Sequence, residues 1–228
     1  YHYYSTTEGL ILTESRTIKH GGFVFSVAFS PDNQYVATGS SDNHLRVIDT
    51  KTGEDLHKIK HDFYVHSVEF SPNNKYLATG SYDDYLRIID VTTGKVLHKI
   101  KHNQEVLSVA FSPDSHYVAT GSRDNYLRII DVKNGKEKHK IEHEDYVRSV
   151  AFSPDNQYIA TGESQRALDH FIDHKYLRII DVKTSNELHK IKYGSSVLSV
   201  AFSPDSQYVA TGTGCPGKPL RLRHQDNH

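Results

Sequence analysis

The chain has no Trp, no Met and a single Cys, Cys215. One thiol excludes an internal disulfide, an all-cysteine zinc site and an iron–sulfur cluster. A reducing, cytoplasmic setting is the expectation. No apolar run approaches the roughly 18 residues of a membrane helix, which excludes a helical span. Tyr1–Leu12 carries no basic region ahead of an apolar stretch, so no signal peptide is expected. A start at Tyr1 rather than Met fits a trimmed chain or a piece of a longer one. An excess of charge of either sign is also missing. With 27 basic and 28 acidic residues the formal net charge is −1. That balance gives no bulk attraction for nucleic acid or an anionic membrane, and neither is expected as a partner.

What the 228 residues hold in quantity is Tyr (15) and His (16), and above all repetition. The string SVAFSP, once SVEFSP, begins at Ser26, Ser67, Ser108, Ser149 and Ser199. The spacing is 41 residues three times and 50 once. Each copy is followed by a Tyr and an Ala-Thr-Gly: Tyr35, Tyr76, Tyr117, Tyr158 and Tyr208 lead these segments. LRVID or LRIID follows at Leu45, Leu86, Leu127 and Leu177, with a degenerate LRLRH from Leu220. A His-Lys-Ile segment closes four copies, at His57–His61, His98–His102, His139–His143 and His189–Tyr193. Most aligned residues of neighbouring copies are identical, so one unit has been copied five times. Within a unit the Val-, Phe-, Tyr- and Thr-rich alternation predicts short strands. Ser-Pro-Asp-Asn and Thr-Gly or Asn-Gly mark the turns between them. Four strands in about 40–45 residues is the period of a propeller blade.

These features resemble the WD40 repeat family over almost the whole chain. His20, His61, His102 and His143 precede the first strands, and Val24, Val65, Val106 and Val147 follow each four residues later. Asp42, Asp83 and Asp124 stand between second and third strands. The family's Trp-Asp pair survives as Asp49, Asp90, Asp131 and Asp181, with Ile48, Ile89, Ile130 and Ile180 in place of Trp. The resemblance implies an all-β propeller and a buried polar network in three blades: His20/Thr38/Asp42, His61/Thr79/Asp83 and His102/Thr120/Asp124. In that reading the Asp accepts from the imidazole and raises its pKa. Blade four has His143 and Thr161 with no Asp in register, and blade five has Tyr193 and Thr211.

The expected architecture is a single domain over 1–228, a five-bladed propeller with blades starting near residues 23, 64, 105, 146 and 196. Arg16–His20 aligns with the fourth strand His57–His61. Residues 15–20 are therefore expected to supply the outer strand of the last blade and close the ring, as the family's clasp does. Five blades is fewer than the family's usual seven. A ring assembled from two chains and a fragment of a longer array remain as alternatives.

Positions that differ between otherwise constant blades carry the functional reading. One precedes the constant Val: Phe23, Tyr64, Glu105, Tyr146 and Ser196. A second follows it: Phe25, His66, Leu107, Arg148 and Leu198. A third precedes the loop Asp: Ser41, Tyr82 and Arg123. The resemblance implies that these ring the face around the central channel, where partners of the family dock. Aromatics and Arg there have the composition of interface hot spots. The predicted partner-binding set is Phe23, Phe25, Tyr64, His66, Tyr82, Arg123, Tyr146 and Arg148.

Other constellations point elsewhere only weakly. The lysines flanking Ile59 and its equivalents suit an outer strand that must avoid edge pairing. The insertion 163–175 in blade four brings Asp169/Asp173 and His170/His174 at i, i+4 spacing, but without the ligand set of a fixed zinc site. No nucleophile–base pair or phosphate loop is present, and Cys215 has no His beside it in sequence. No catalytic residue, metal or cofactor is expected. The function expected is a monomeric interaction scaffold for a peptide or protein. The alternative is a lectin-like propeller binding glycans or small ligands.

Overall fold

The structure is a computed structural model that describes residues 2–7, 11–164 and 175–214. Strands β1 (His2–Thr7) and β2 (Ile11–Thr17) come first. Blade 1 holds β3 (Val24–Phe29), β4 (Tyr35–Ser40), β5 (His44–Asp49) and β6 (Asp55–Lys60). Blade 2 holds β7 (Val65–Phe70), β8 (Tyr76–Ser81), β9 (Tyr85–Asp90) and β10 (Val96–Lys101). Blade 3 holds β11 (Val106–Phe111), β12 (Tyr117–Ser122), β13 (Tyr126–Asp131) and β14 (Glu137–Glu142). Blade 4 holds β15 (Tyr146–Phe152), β16 (Tyr158–Ser164), β17 (Lys175–Asp181) and β18 (Glu187–Tyr193). β19 (Val197–Phe202) and β20 (Val209–Thr213) begin blade 5. Blades 1 to 4 are antiparallel meanders in sequence order, and β19 pairs with β20.

Local chemistry explains the meander. In each Ser-Pro turn the Ser hydroxyl donates to the residue two positions on, as Ser30 does to Asp32 at 2.6 Å. The same oxygen accepts the N–H of Tyr35 at 2.9 Å, so one buried side chain ties both ends of the turn. The next turn needs a left-handed residue, supplied by Asn43 (φ 66°), Asp84 (φ 70°) and Asn125 (φ 68°). Asn and Asp tolerate that conformation better than other side chains. Asp49 and its equivalents cap the third turn; Asp49 accepts the N–H of Lys51 at 2.8 Å and of Thr52 at 2.7 Å.

Blades stack through their first strands, with β3, β7, β11, β15 and β19 side by side in that order. Ala37, Leu45 and Val47 of blade 1 pack against Val65, Phe70, Leu77 and Ile89 of blade 2, and the pattern repeats at each step. The isoleucines in the Trp positions are at most 1 % exposed. They serve as core. Two repeated contacts set the spacing. The Ser26 hydroxyl accepts the N–H of Val68 in the next blade at 3.1 Å, and Ser67, Ser108 and Ser149 do the same for Val109, Val150 and Val200. The Ala-Thr-Gly glycines lie against the next blade's first valine. A Cβ on Gly39, Gly121 or Gly162 would sit 2.8, 2.5 or 2.7 Å from the carbonyl oxygen of Val65, Val147 or Val197.

The described residues show no closure of the array. Among them Arg16–His20 pairs with no strand of blade 5. β2 instead pairs antiparallel with β1, from His2↔Thr17 to Thr7↔Ile11, and Ile18–His20 is not strand. A hairpin partner a few residues away costs less chain entropy than one two hundred residues distant. The third-type strand expected at Leu220–Arg223 lies outside the described residues. The hydrophobic clusters among the described residues join blades 1–2, 2–3, 3–4 and 4–5, and none joins 5 to 1. Phe29 is correspondingly 54 % exposed where Phe70 and Phe111 are 5 %.

The glycine contact gives a direct test. Gly121→Ala should destabilise the fold by about 1–3 kcal/mol through overpacking against the valine backbone. Gly194→Ala, where a Cβ meets nothing within 4 Å, should be neutral or slightly stabilising. Denaturant melts of the two variants check this; equal midpoints would mean the blades can part without cost.

Candidate functional site

One end of the blades, its loops together with the adjoining strand ends, carries both the polar network and the varying positions. His61, His102 and His143 sit just after a fourth strand and His20 just after β2, and each ring reaches the second strand of the blade that follows. His20, His61, His102 and His143 Nε2 lie 2.8, 3.0, 2.9 and 2.9 Å from the hydroxyls of Thr38, Thr79, Thr120 and Thr161. Nδ1 of each faces the carbonyl oxygen two residues back, 3.2 Å away for His61. Nδ1–H therefore donates to that carbonyl, and Nε2 accepts from the threonine hydroxyl. This is a neutral imidazole. In blade 5 the Tyr193 hydroxyl meets Thr211 at 3.1 Å in the same place.

The loop aspartates do not pair with the imidazoles, which corrects the network expected from sequence. Their partner is the Arg of the LRIID segment. Arg87 grips Asp83 with two bonds of 3.1 and 2.7 Å, and Arg128 grips Asp124 with two of 3.0 and 2.6 Å. Arg46 Nη2 lies 2.7 Å from Asp42. Each carboxylate also accepts the N–H of the residue after the histidine: Gly21 at 3.0 Å, Asp62 at 3.1 Å and Asn103 at 3.1 Å. The loop before the first strand is thus pinned to the loop after the second. A guanidinium fork outcompetes an imidazole for a carboxylate because it offers two parallel donors and is always charged.

Blade 4 sets an acid from a different position beside its arginine, and burial pushes that carboxyl up to about 7. Glu163, fully buried at the position of Ser40, Ser81 and Ser122, places Oε1 2.7 Å from Arg178 Nε. Sequence alignment alone found no acid in register here, because the replacement sits on the strand rather than in the loop. The insertion residues Asp169, His170, Asp173 and His174 lie outside the described residues.

The electrostatics follow from this geometry. Burial, and then the charge of Arg87, lowers His61 to about 4. Burial and Arg128 lower His102 to about 4, burial and Arg178 lower His143 to about 3, and burial and Arg46 lower His20. The raised values implied by a His–Asp pair are therefore reversed. For Asp42, Asp83 and Asp124 burial acts upward, but the Arg and backbone donors outweigh it and the carboxyls stay below the ordinary range.

Above this layer the varying residues meet. Phe25 lies against Tyr64 (centroids 6.0 Å apart) and stacks on His66 (5.6 Å). His66 stacks on Tyr82 at 5.2 Å with the planes 8° apart. Tyr64 and Tyr82 are 6.1 Å apart. The Arg123 guanidinium lies 5.1 Å from the Tyr82 ring and 5.8 Å from Tyr146, and its Nη1 pairs with Glu105 at 2.8 Å. Arg148 Nη1 reaches His66 Nε2 at 3.3 Å, from blade 4 to blade 2. Seven of the eight sequence-predicted residues form this connected patch. Phe23, 80 % exposed, makes no ring contact among the described residues. Sequence reasoning missed Phe63, which stacks on Tyr64 at 4.2 Å and borders Tyr82 at 6.4 Å. The signal was present: blades 1, 3 and 4 carry Gly22, Gln104 and Asp145 there.

The titration directions fix the acid response. Between about pH 6.5 and 4 the unfolded chain binds protons at His61, His102 and His143 that the folded chain refuses. Stability is therefore full above that window and falls as pH drops through it. Loss of the Asp83 and Asp124 pairs adds below it. Denaturant melts at pH 7.5, 5.5 and 4.5 should show a steady fall, with imidazole NMR signals of these three unchanged to below pH 5. Titration of any of them at or above 6.5 would overturn the assignment.

A search of curated proteins found no match to the chain. A family model described as "WD domain, G-beta repeat" matches five times, at residues 12–49, 53–90, 94–131, 135–172 and 185–215. With most of the chain matched, repeat after repeat, the protein belongs to the WD40 repeat family.

Proposed function

We propose that the chain is an interaction scaffold that binds a peptide or protein partner through the patch centred on Tyr64, His66 and Tyr82. WD40 repeats generally mediate protein–protein interaction. The observation that carries the reading for this chain is the convergence of the varying residues. Seven positions that differ between blades form one contiguous aromatic and cationic surface across blades 1 to 4. The scaffold beneath is repeated almost unchanged, so variation is concentrated where side chains meet one another at the loop end. Half-exposed aromatic rings held by neighbouring blades lose little entropy on binding.

The patch is asymmetric. Phe25, His66, Leu107, Arg148 and Leu198 occupy one equivalent position in five blades, so no two neighbouring blades offer the same pocket. A glycan-binding propeller would instead repeat one pocket around the ring. The asymmetry suits a single partner that crosses several blades. Rings and guanidinium groups supply apolar area, stacking faces and donors, and no bond-making chemistry is required of them.

Peptides selected on the native chain by display should lose at least tenfold in affinity for the variant Tyr64→Ala/Tyr82→Ala. That loss corresponds to about 1.4 kcal/mol or more. Leu188→Ala, an exposed outer-strand change, should leave them unaffected. Circular dichroism confirms that both variants fold. Selected peptides that bind the double variant as tightly as the native chain would remove this patch as the site.

A further inference from the structure

Among the described residues the Arg148 guanidinium has no carboxylate partner, unlike Arg123 and the arginines of the third strands. Arg46, Arg87 and Arg128 hold Asp42, Asp83 and Asp124, and Arg178 holds Glu163. On the same surface as Arg148, Arg123 is neutralised by Glu105. Arg148 has instead a neutral acceptor, His66 Nε2 at 3.3 Å. His66 is fixed in that role because its Nδ1–H donates to the Leu107 carbonyl at 2.9 Å, which leaves the lone pair of Nε2 for the guanidinium. The imidazole cannot relieve the positive charge. Burial, then Arg148, holds its pKa at about 4, and no carboxylate of the described residues offsets them.

Arg148 is also part-buried. Its acceptor His66 is sandwiched between Phe25 and Tyr82. A guanidinium carries five N–H donors in a planar fork, and one is engaged here. A part-buried cation with no counter-charge among the described residues is costly alone, and an incoming anion removes the cost. The aromatic neighbours suit an apolar group attached to that anion.

We propose that Arg148, oriented by His66, anchors an anion subsite that takes the carboxylate or phosphate group of the bound peptide, with its apolar neighbour packed on Phe25 and Tyr82. This rests on the peptide-binding reading above and names the chemistry of the partner: an acidic side chain or a phosphorylated one beside a hydrophobic residue. The chain's balanced charge sets it apart from a general polyanion surface; among the described residues of the patch, the cation without a carboxylate is the single point Arg148.

The test uses the intact chain and three small probes: phenylacetate, phenyl phosphate and the neutral phenylacetamide. Each is titrated with NMR detection of the Tyr and Arg side chains. Both anions should bind at least tenfold more tightly than the amide, with the preference shrinking as salt rises. The stronger of the two anions tells an acidic side chain from a phosphorylated one. Arg148→Gln should abolish the preference, while Lys190→Gln on the outer strand keeps it. Equal binding of amide and anions to the native chain overturns the proposal without any variant. So does an anion preference that survives in a folded Arg148→Gln chain. If display-selected peptides still depend on Tyr64 and Tyr82 while the anion preference is absent, this inference falls and the peptide-binding reading stands. If neither dependence is seen, both fall.

Discussion

The contact between a second-strand glycine and the first-strand valine of the next blade governs the rest of the molecule. At Gly121 the approach leaves 2.5 Å between a Cβ position and the Val147 carbonyl oxygen. Only hydrogen fits. That closeness lets the serine hydroxyl of one blade reach the valine N–H of the next, and it brings Ala, Leu and Val of one sheet onto Val, Phe and Ile of its neighbour. The repeat unit cannot bury its own faces, so each blade is stabilised by the one beside it. The identical residues along the chain record one interface used again and again.

On that stack rests a second, polar layer that decides where the loops lie. A buried carboxylate gripped by a buried guanidinium pins two loops of one blade, and a neutral histidine bonded to a threonine fixes the strand end beside them. Such a pair gains little over an apolar core, but losing one partner leaves an uncompensated buried charge. It therefore specifies geometry more than it adds stability. The recurrence of the pair in blade 4 through Glu163 makes the same point, since the arginine is matched although the loop acid is missing. The rings and guanidinium groups of the candidate patch stand on these loops and the strand ends beside them, which is how residues 82 positions apart come to touch.

The sequence by itself determined the unit, its four strands, its turns and the positions that vary. Period-two alternation, Ser-Pro and Asx turns and the copied register are local properties, and each strand of blades 1 to 4 lies where they placed it. The candidate patch was legible too, because variation against a constant background marks solvent-facing positions such as Tyr64, Tyr82 and Arg148. Tertiary structure alone decided who pairs with whom. The sequence offered His61 as the partner of Asp83, and only the geometry of β9 put the Arg87 guanidinium fork on the carboxylate instead. Only stacking placed Glu163 under Arg178, and only the curvature of the array carried Arg148 to His66. The state of the histidines follows the same division. Their spacing is written in the chain, but their charge depends on burial and on the arginine beside them, and both exist only once the blades have packed.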